Sequence, residues 1–151
     1  MVHSLVKIVF LLFIIMPYNI KGGYGYHCSY RIITRQVHIL NNLPKNTPQL
    51  KLHCASGDDD LGYNYPALRT DFKWEFCAIS NTLYFCHFWW GNKNTVFDVF
   101  NNLDHCVADE SNFIPRGTQR CIYNVKDDGI YIGFEDPFTG QTIYKKHRDW
   151  S

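Results

Sequence analysis

Charge is scarce in this chain. Only 19% of its 151 residues are charged, and 15 Lys and Arg stand against 14 Asp and Glu, a formal net charge of +1. A chain this close to neutral lacks the electrostatic footprint that phosphate backbones demand, so no nucleic-acid partner is expected. It has no polybasic stripe for anionic lipid either. No Cys-x-x-Cys spacing occurs, which argues against structural zinc. His53-Cys54, Cys86-His87 and His105-Cys106 are adjacent pairs, but neighbours in a strand point to opposite faces and cannot close on one metal. The absence of Gly-x-Ser-x-Gly removes the usual serine-hydrolase elbow. With no Asn-x-Ser/Thr acceptor, N-glycosylation is not expected. No stretch carries a sustained i, i+3, i+4 apolar stripe, which argues against helix.

Long hydrophobic runs are also few. The one at the start, Ile8 to Met16, follows the basic stretch Met1 to Lys7 and ends at Pro17. Gly23-Tyr24-Gly25 then offers small residues at the positions a signal peptidase reads. This layout is that of a secretory signal peptide, residues 1–25. A spanning helix needs roughly 20 apolar residues, so the run is too short for an anchor. The expectation is a secreted, extracellular product, residues 26–151, with no membrane insertion of the mature chain. Loss of Lys7 and Lys21 with the leader makes its formal charge slightly negative.

What is present is aromatic and disulfide-forming. Aromatics make up 17% of the chain, which argues against disorder. Six cysteines, Cys28, Cys54, Cys77, Cys86, Cys106 and Cys121, all follow the leader. An even count in a small secreted chain implies an intramolecular disulfide framework, with many pairings open. A Cys54–Cys121 bridge is one expectation, since both fall on inward positions of strands.

The apolar pattern is that of short strands. Val37 to Leu40, Leu50 to Cys54, Asp71 to Phe76 and Val96 to Phe100 alternate. Asn41 to Pro48, Gly57 to Gly62 and Gly91 to Asn94 are turn chemistry. Ile79 to Thr82 reads as a hairpin connection into Leu83 to Trp90. That strand is apolar on both faces, so it is either covered on both sides or exposes an aromatic face. Residues 101–120 lack a sustained period and read as a long loop. Asp127-Asp-Gly129 is a hairpin turn between Cys121 to Val125 and Ile130 to Phe134. The pattern predicts a single-domain, all-β antiparallel sandwich of about eight strands. Its core should hold Leu52, Trp74, Phe76, Phe85 or Phe88, Phe97 and Tyr123.

Three chemical readings can be weighed on residue spacing. Asp58-Asp-Asp60 invites a calcium loop, but Gly62 falls where the third acid belongs and Arg69 in the twelfth place, so a solvated turn is preferred. His38, His53, His87 and His105 invite a ribonuclease, but no two share a motif and no basic cluster accompanies them. Tyr84 to Trp90 invites a carbohydrate-stacking platform, with core packing the preferred reading. No catalytic residue, cofactor or metal ligand is therefore assigned. A carbohydrate-binding module or a small hydrolase or ribonuclease is the alternative reading.

An ordered set of segments points further. It runs through Val37-His-Ile-Leu-Asn-Asn-Leu43, His53-Cys54-x-Ser56-x-Asp58-Asp-Asp-Leu-Gly62 and Phe72-x-Trp74-x-Phe76. It continues with Thr82-Leu-Tyr-Phe-Cys86-His-Phe-Trp-Trp90, Phe97-Asp-Val-Phe100, Cys121-x-Tyr123-x-Val125-x-x-Asp128-Gly129 and Asp149-Trp150. This set resembles the plant self-incompatibility S-protein family. The resemblance departs at Tyr123, where the family often has Trp, and in the absence of half-cystines near the end. It implies a secreted β-sandwich without known catalysis, acting as a ligand for a cell-surface protein receptor in cell–cell recognition or signalling, rejection of self pollen among the family's roles. A monomer is expected.

Specificity in such a scaffold falls to loops. The candidates are Gly57 to Gly62, Gly91 to Asn94, Asn101 to Arg120 and Phe134 to Gln141. The long segment is preferred, because it mixes Asp104, Asp109, Glu110, Arg116 and Arg120 with Phe113 and Ile114, which read as exposed. Asp58, Asp59 and Asp60 come next.

Overall fold

The computed structural model describes Cys28, Ser29 and residues 32–151. The signal-peptide expectation lies outside the described residues. Among the described residues, nine strands form two sheets: β1 (Ile33–Asn41), β2 (Leu50–Ser56), β3 (Asp60–Asn64), β4 (Asp71–Ala78), β5 (Tyr84–Trp90), β6 (Lys93–Phe100), β7 (Arg120–Lys126), β8 (Gly129–Glu135) and β9 (Thr142–Arg148). One sheet has the order β4-β1-β7-β8-β9, the other β3-β2-β5-β6. All neighbours are antiparallel except β1 and β7, which pair in parallel. Between them the chain forms β2 and β3 of the second sheet, returns for β4, completes the second sheet with β5 and β6, and comes back at β7. Among the described residues, no helix is long and apolar enough to cross a membrane.

Period-two alternation places one apolar row of each strand between the sheets. In β5, Tyr84, Cys86 and Phe88 are buried, whereas Phe85 is exposed and His87 and Trp89 are half-buried. Phe88, not Phe85, is therefore the core aromatic. Leu52, Phe76, Phe97 and Tyr123 are buried as expected, and Trp74 packs half-buried against them. The Tyr123 hydroxyl donates to the Val99 carbonyl at 2.9 Å, joining β7 of one sheet to β6 of the other. A buried hydroxyl without such a partner would cost about 1–3 kcal/mol.

Several local expectations change. Ile79 to Thr82 does not close a hairpin: β4 pairs with β1 and β5 with β2, so this turn carries the chain between sheets. β3 emerges within and beyond the acidic turn, paired with β2 across an irregularity between His53 and Ala55. The β7–β8 hairpin turns at Asp127-Asp128, since Lys126 pairs with Gly129. Gly129 sits at φ +142, and a Cβ there would meet the Arg148 carbonyl oxygen at 2.5 Å, so close approach of β9 requires the glycine.

All six cysteines are bridged: Cys28–Cys77, Cys54–Cys86 and Cys106–Cys121. The expected Cys54–Cys121 bridge is not formed. Both residues are buried, but they lie in opposite sheets, and Cys54 faces Cys86 directly across the β2–β5 pair. The third bridge ties the long β6–β7 connection to β7.

Candidate partner-binding site

The β6–β7 connection, residues 101–120, is irregular but tightly pinned. The Asn102 side chain accepts from the amides of Asp104 (2.9 Å) and His105 (3.0 Å), a local turn that short amide side chains favour. Cys106 then takes a left-handed φ of +62, held by its disulfide and by the amides of Asn101 and Asn102 on its carbonyl. A 3-10 turn follows at Ala108–Glu110, and the Asn101 side chain accepts the Ala108 amide at 2.8 Å. His105 Nδ1 donates to the Ile114 carbonyl at 2.7 Å, and Arg35 reaches the Leu103 carbonyl at 2.7 Å.

Glu110 is the centre of this arrangement. The residue is only 5% exposed, and its carboxylate accepts from Lys145 Nζ at 2.7 Å and His147 Nδ1 at 2.9 Å, both on β9. Asp109 beside it pairs with Arg148 at 2.8 Å. Burial alone would raise both carboxyls. Hydrogen bonds and positive charge from β9 outweigh it and hold them below the ordinary range. His147 is shifted down: burial between the Phe97 and Tyr123 rings disfavours its cation more than the carboxylates favour it. Among the described residues, its Nε2 is buried without a partner.

The sequence-predicted residues therefore separate. Ile114 is 1% exposed and part of the core, and Phe113 packs edge-on against Phe134 at 5.4 Å. Both read as exposed in the sequence; they anchor the loop instead, and Glu110 is an internal clasp. Asp104 and Arg116 do meet, at 3.1 Å, on the accessible side. Asp109, Ser111, Asn112, Pro115, Arg116 and Gln119 are displayed to solvent. Ser111, Asn112 and Gln119 were not singled out in the sequence, where nothing sets them apart from other loop polars.

Asp58 to Asp60 lie on the β2–β3 turn. Ser56 Oγ accepts the Asp58 and Asp59 amides at 3.2 and 2.9 Å, and the Tyr84 hydroxyl donates to Asp59 at 2.8 Å. Asp60 accepts from the Gly62 amide at 2.8 Å and from His53 at 2.6 Å, contacts that depress its carboxyl in that order. His53 and His87 are cross-strand partners on the outer face of the smaller sheet; His38 lies on the other sheet, donating to Asp71 at 2.7 Å. Among the described residues, no group of three His, Cys, Asp or Glu gathers as a metal site would.

Residues 36–150 match the family model described as plant self-incompatibility protein S1. The chain is similar to S-protein homolog 3 of Arabidopsis thaliana, 31% identical over 148 residues that cover 97% of this chain and 90% of that one. S-protein homolog 19 of the same plant is 34% identical over 115 residues, covering 70% and 76%. S-protein homolog 4 is 31% identical over 129 residues, covering 83% and 78%. No solved structure matches.

Proposed function

This chain belongs to the plant self-incompatibility protein S1 family, and from that premise we propose that it is a secreted, non-enzymatic ligand. It acts as a monomer in extracellular cell–cell recognition, received by a cell-surface protein through the β6–β7 connection. Rejection of self pollen is one process such a ligand serves. Secretion is supported by the six bridged cysteines, which need an oxidising compartment to form and persist.

The observation that carries the reading is the pinning of residues 101–120. A loop with one disulfide, a buried Glu110 clasp and Ile114 in the core is already ordered before a partner arrives. It therefore loses less entropy on binding than a free loop of that length. Asp104, Asp109, Ser111, Asn112 and Arg116 give it a polar, protein-like contact surface.

The test exchanges Ser111, Asn112 and residues 115–119 for those of S-protein homolog 3, keeping Glu110, Phe113 and Ile114. The tagged protein should still be secreted and folded, with altered binding to intact plant cells. Unchanged binding by a folded, secreted variant would place recognition elsewhere, with Asp58 to Asp60 the next segment to exchange. Incubation with RNA, with no cleavage expected, checks the non-enzymatic part.

A further inference from the structure

The two sheets present very different outer faces. On the larger sheet, polar side chains pair across strands: Gln36 donates to Glu75 at 2.7 Å, His38 to Asp71 at 2.7 Å and Arg120 to Glu135 at 2.8 Å. On the smaller sheet, the outward row is aromatic. Pairing sets Lys51 opposite Trp89, and His53 between Tyr63 and His87, with Val96 beyond. The rings form a continuous series. His53 lies 5.0 Å from Tyr63, Tyr63 6.0 Å from Trp89, and Trp89 stacks on His87 at 3.7 Å with 21° between planes. Tyr63 is 60% exposed and Val96 57%.

A single ammonium sits in the middle. Lys51 Nζ lies 4.3 Å from the Tyr63 centroid and 4.8 Å from that of Trp89, and among the described residues it has no carboxylate partner. The acid nearest by pairing is Asp60, held by His53. The face thus offers apolar ring surface, imidazole and amide groups of His53, His87 and Asn94, and one cation without a carboxylate partner among the described residues, with Asp98 at its far end opposite Phe85.

We propose that this face binds an acidic polysaccharide built of uronic-acid residues. The C–H surface of a pyranose ring is apolar and suits the exposed Tyr63 ring, which half-buried Trp89, stacked on His87, supports from beside it. The uronate carboxylate supplies the charge that Lys51 lacks, in a charge-assisted hydrogen bond. Sugar hydroxyls take the imidazole and amide groups. The face is open rather than enclosed, which suits a polymer whose repeats bind in succession. This site is on the opposite side of β5 from the core and is independent of the loop reading above.

Affinity electrophoresis and calorimetry would use polygalacturonate, its fully methyl-esterified form, and poly(U) as a polyanion control. The folded protein should bind polygalacturonate, bind the ester weakly, and bind poly(U) least. Trp89→Ala and the more exposed Tyr63→Ala should each weaken binding about tenfold, the scale of one aromatic contact. Lys51→Gln should abolish the preference for the free acid over the ester, and Phe138→Ala, an exposed aromatic outside this face, should change nothing. Equal binding to poly(U), or binding that survives both Trp89→Ala and Tyr63→Ala in folded protein, overturns the proposal. So does a dimer in sedimentation that Trp89→Ala dissociates, which would make a second copy the occupant.

Discussion

Two acidic stretches, Asp58-Asp59-Asp60 and Asp109-Glu110, read alike in the sequence and sit in opposite circumstances. Glu110 has one carboxylate oxygen on Lys145 and the other on His147, and is nearly sealed from water. Asp109 is tied to Arg148. At the other stretch, among the described residues, the carboxylates of Asp59 and Asp60 alone engage side chains, Tyr84 and His53, and all three acids are exposed. The first pair fastens a connection to the edge strand of the larger sheet. The second decorates a turn that the Ser56 hydroxyl already closes through two backbone amides. Acidic composition in a loop is thus a poor guide to recognition. What separates the two uses is whether basic groups from a distant strand converge on the carboxylates.

Removing the covalent tether at the first stretch should break the contrast most. The Cys106–Cys121 bridge closes a separation of 15 residues. Replacing both cysteines with Ala should lower unfolding free energy by about 3 kcal/mol, the loss for a closed loop of that size. The urea midpoint would measure it. Limited proteolysis should then cut within 107–119 while the β2–β3 turn stays intact. A loss of under about 1 kcal/mol would mean that the ion pairs and Ile114 alone hold the connection.

The next effect is electrostatic, and its sign follows from the two depressed groups. Glu110 titrates lower folded than its ordinary 4.5, so its stabilisation is full above that pH and fades as pH falls through the folded value. His147 also titrates lower folded than its ordinary 6.5. The unfolded chain therefore takes up that proton first, and stability falls from about 6.5 downward. Asp109, also held below its ordinary range, keeps its charge through most of this window, and the Tyr123 phenol, pushed well above 10 by burial, stays neutral. Melting temperature should fall steadily from pH 7 to pH 4. His147→Gln should flatten the upper part of that fall and Glu110→Gln the lower part. At pH 7, Glu110→Gln should cost about 1.5–3 kcal/mol, the range for a hydrogen bond to a charged group. A wild-type profile flat across this window would show that the clasp contributes nothing.

Much of the sandwich was readable from period-two alternation, because each strand has one buried row. Leu52, Phe76, Phe97 and Tyr123 lie where that row places them. The aromatic outer face of β5 was readable as one of two options for a strand apolar on both sides, and exposure of Phe85 chooses between them. Other features depend on contacts that local pattern does not encode. Cys54 meets Cys86 because β2 pairs with β5, and no residue near either one states that pairing. Ile79 to Thr82 has the composition of a hairpin turn, yet its flanking strands join different sheets. β3 went unread because its register rests on a β2 irregularity and its first residue is an acid. Ile114 looked like exposed loop, and Glu110 like a surface acid. Glu110 finds its partners 35 and 37 residues further along, on a strand whose placement only the assembled sheet determines.

The smallest expected effect lies at Asp58, and it sharpens the comparison from the other side. Among the described residues, the Asp58 carboxylate has no ion pair; its backbone amide, not its side chain, closes the turn on Ser56. Asp58→Asn keeps the shape and removes only the charge. Surface changes away from caps, cores and paired charges stay within about 0.5 kcal/mol, so the urea midpoint should not move measurably. Binding to intact cells should also match the wild type if the β6–β7 connection carries recognition, whereas Arg116→Ala, equally solvent-facing, should weaken it without loss of stability beyond that same small range, since its ion pair with Asp104 is exposed. The reverse result, Asp58→Asn losing cell binding while Arg116→Ala keeps it, would move recognition to the β2–β3 turn. It would also make the exposed acids, and not those fastened to β9, the ones a partner reads.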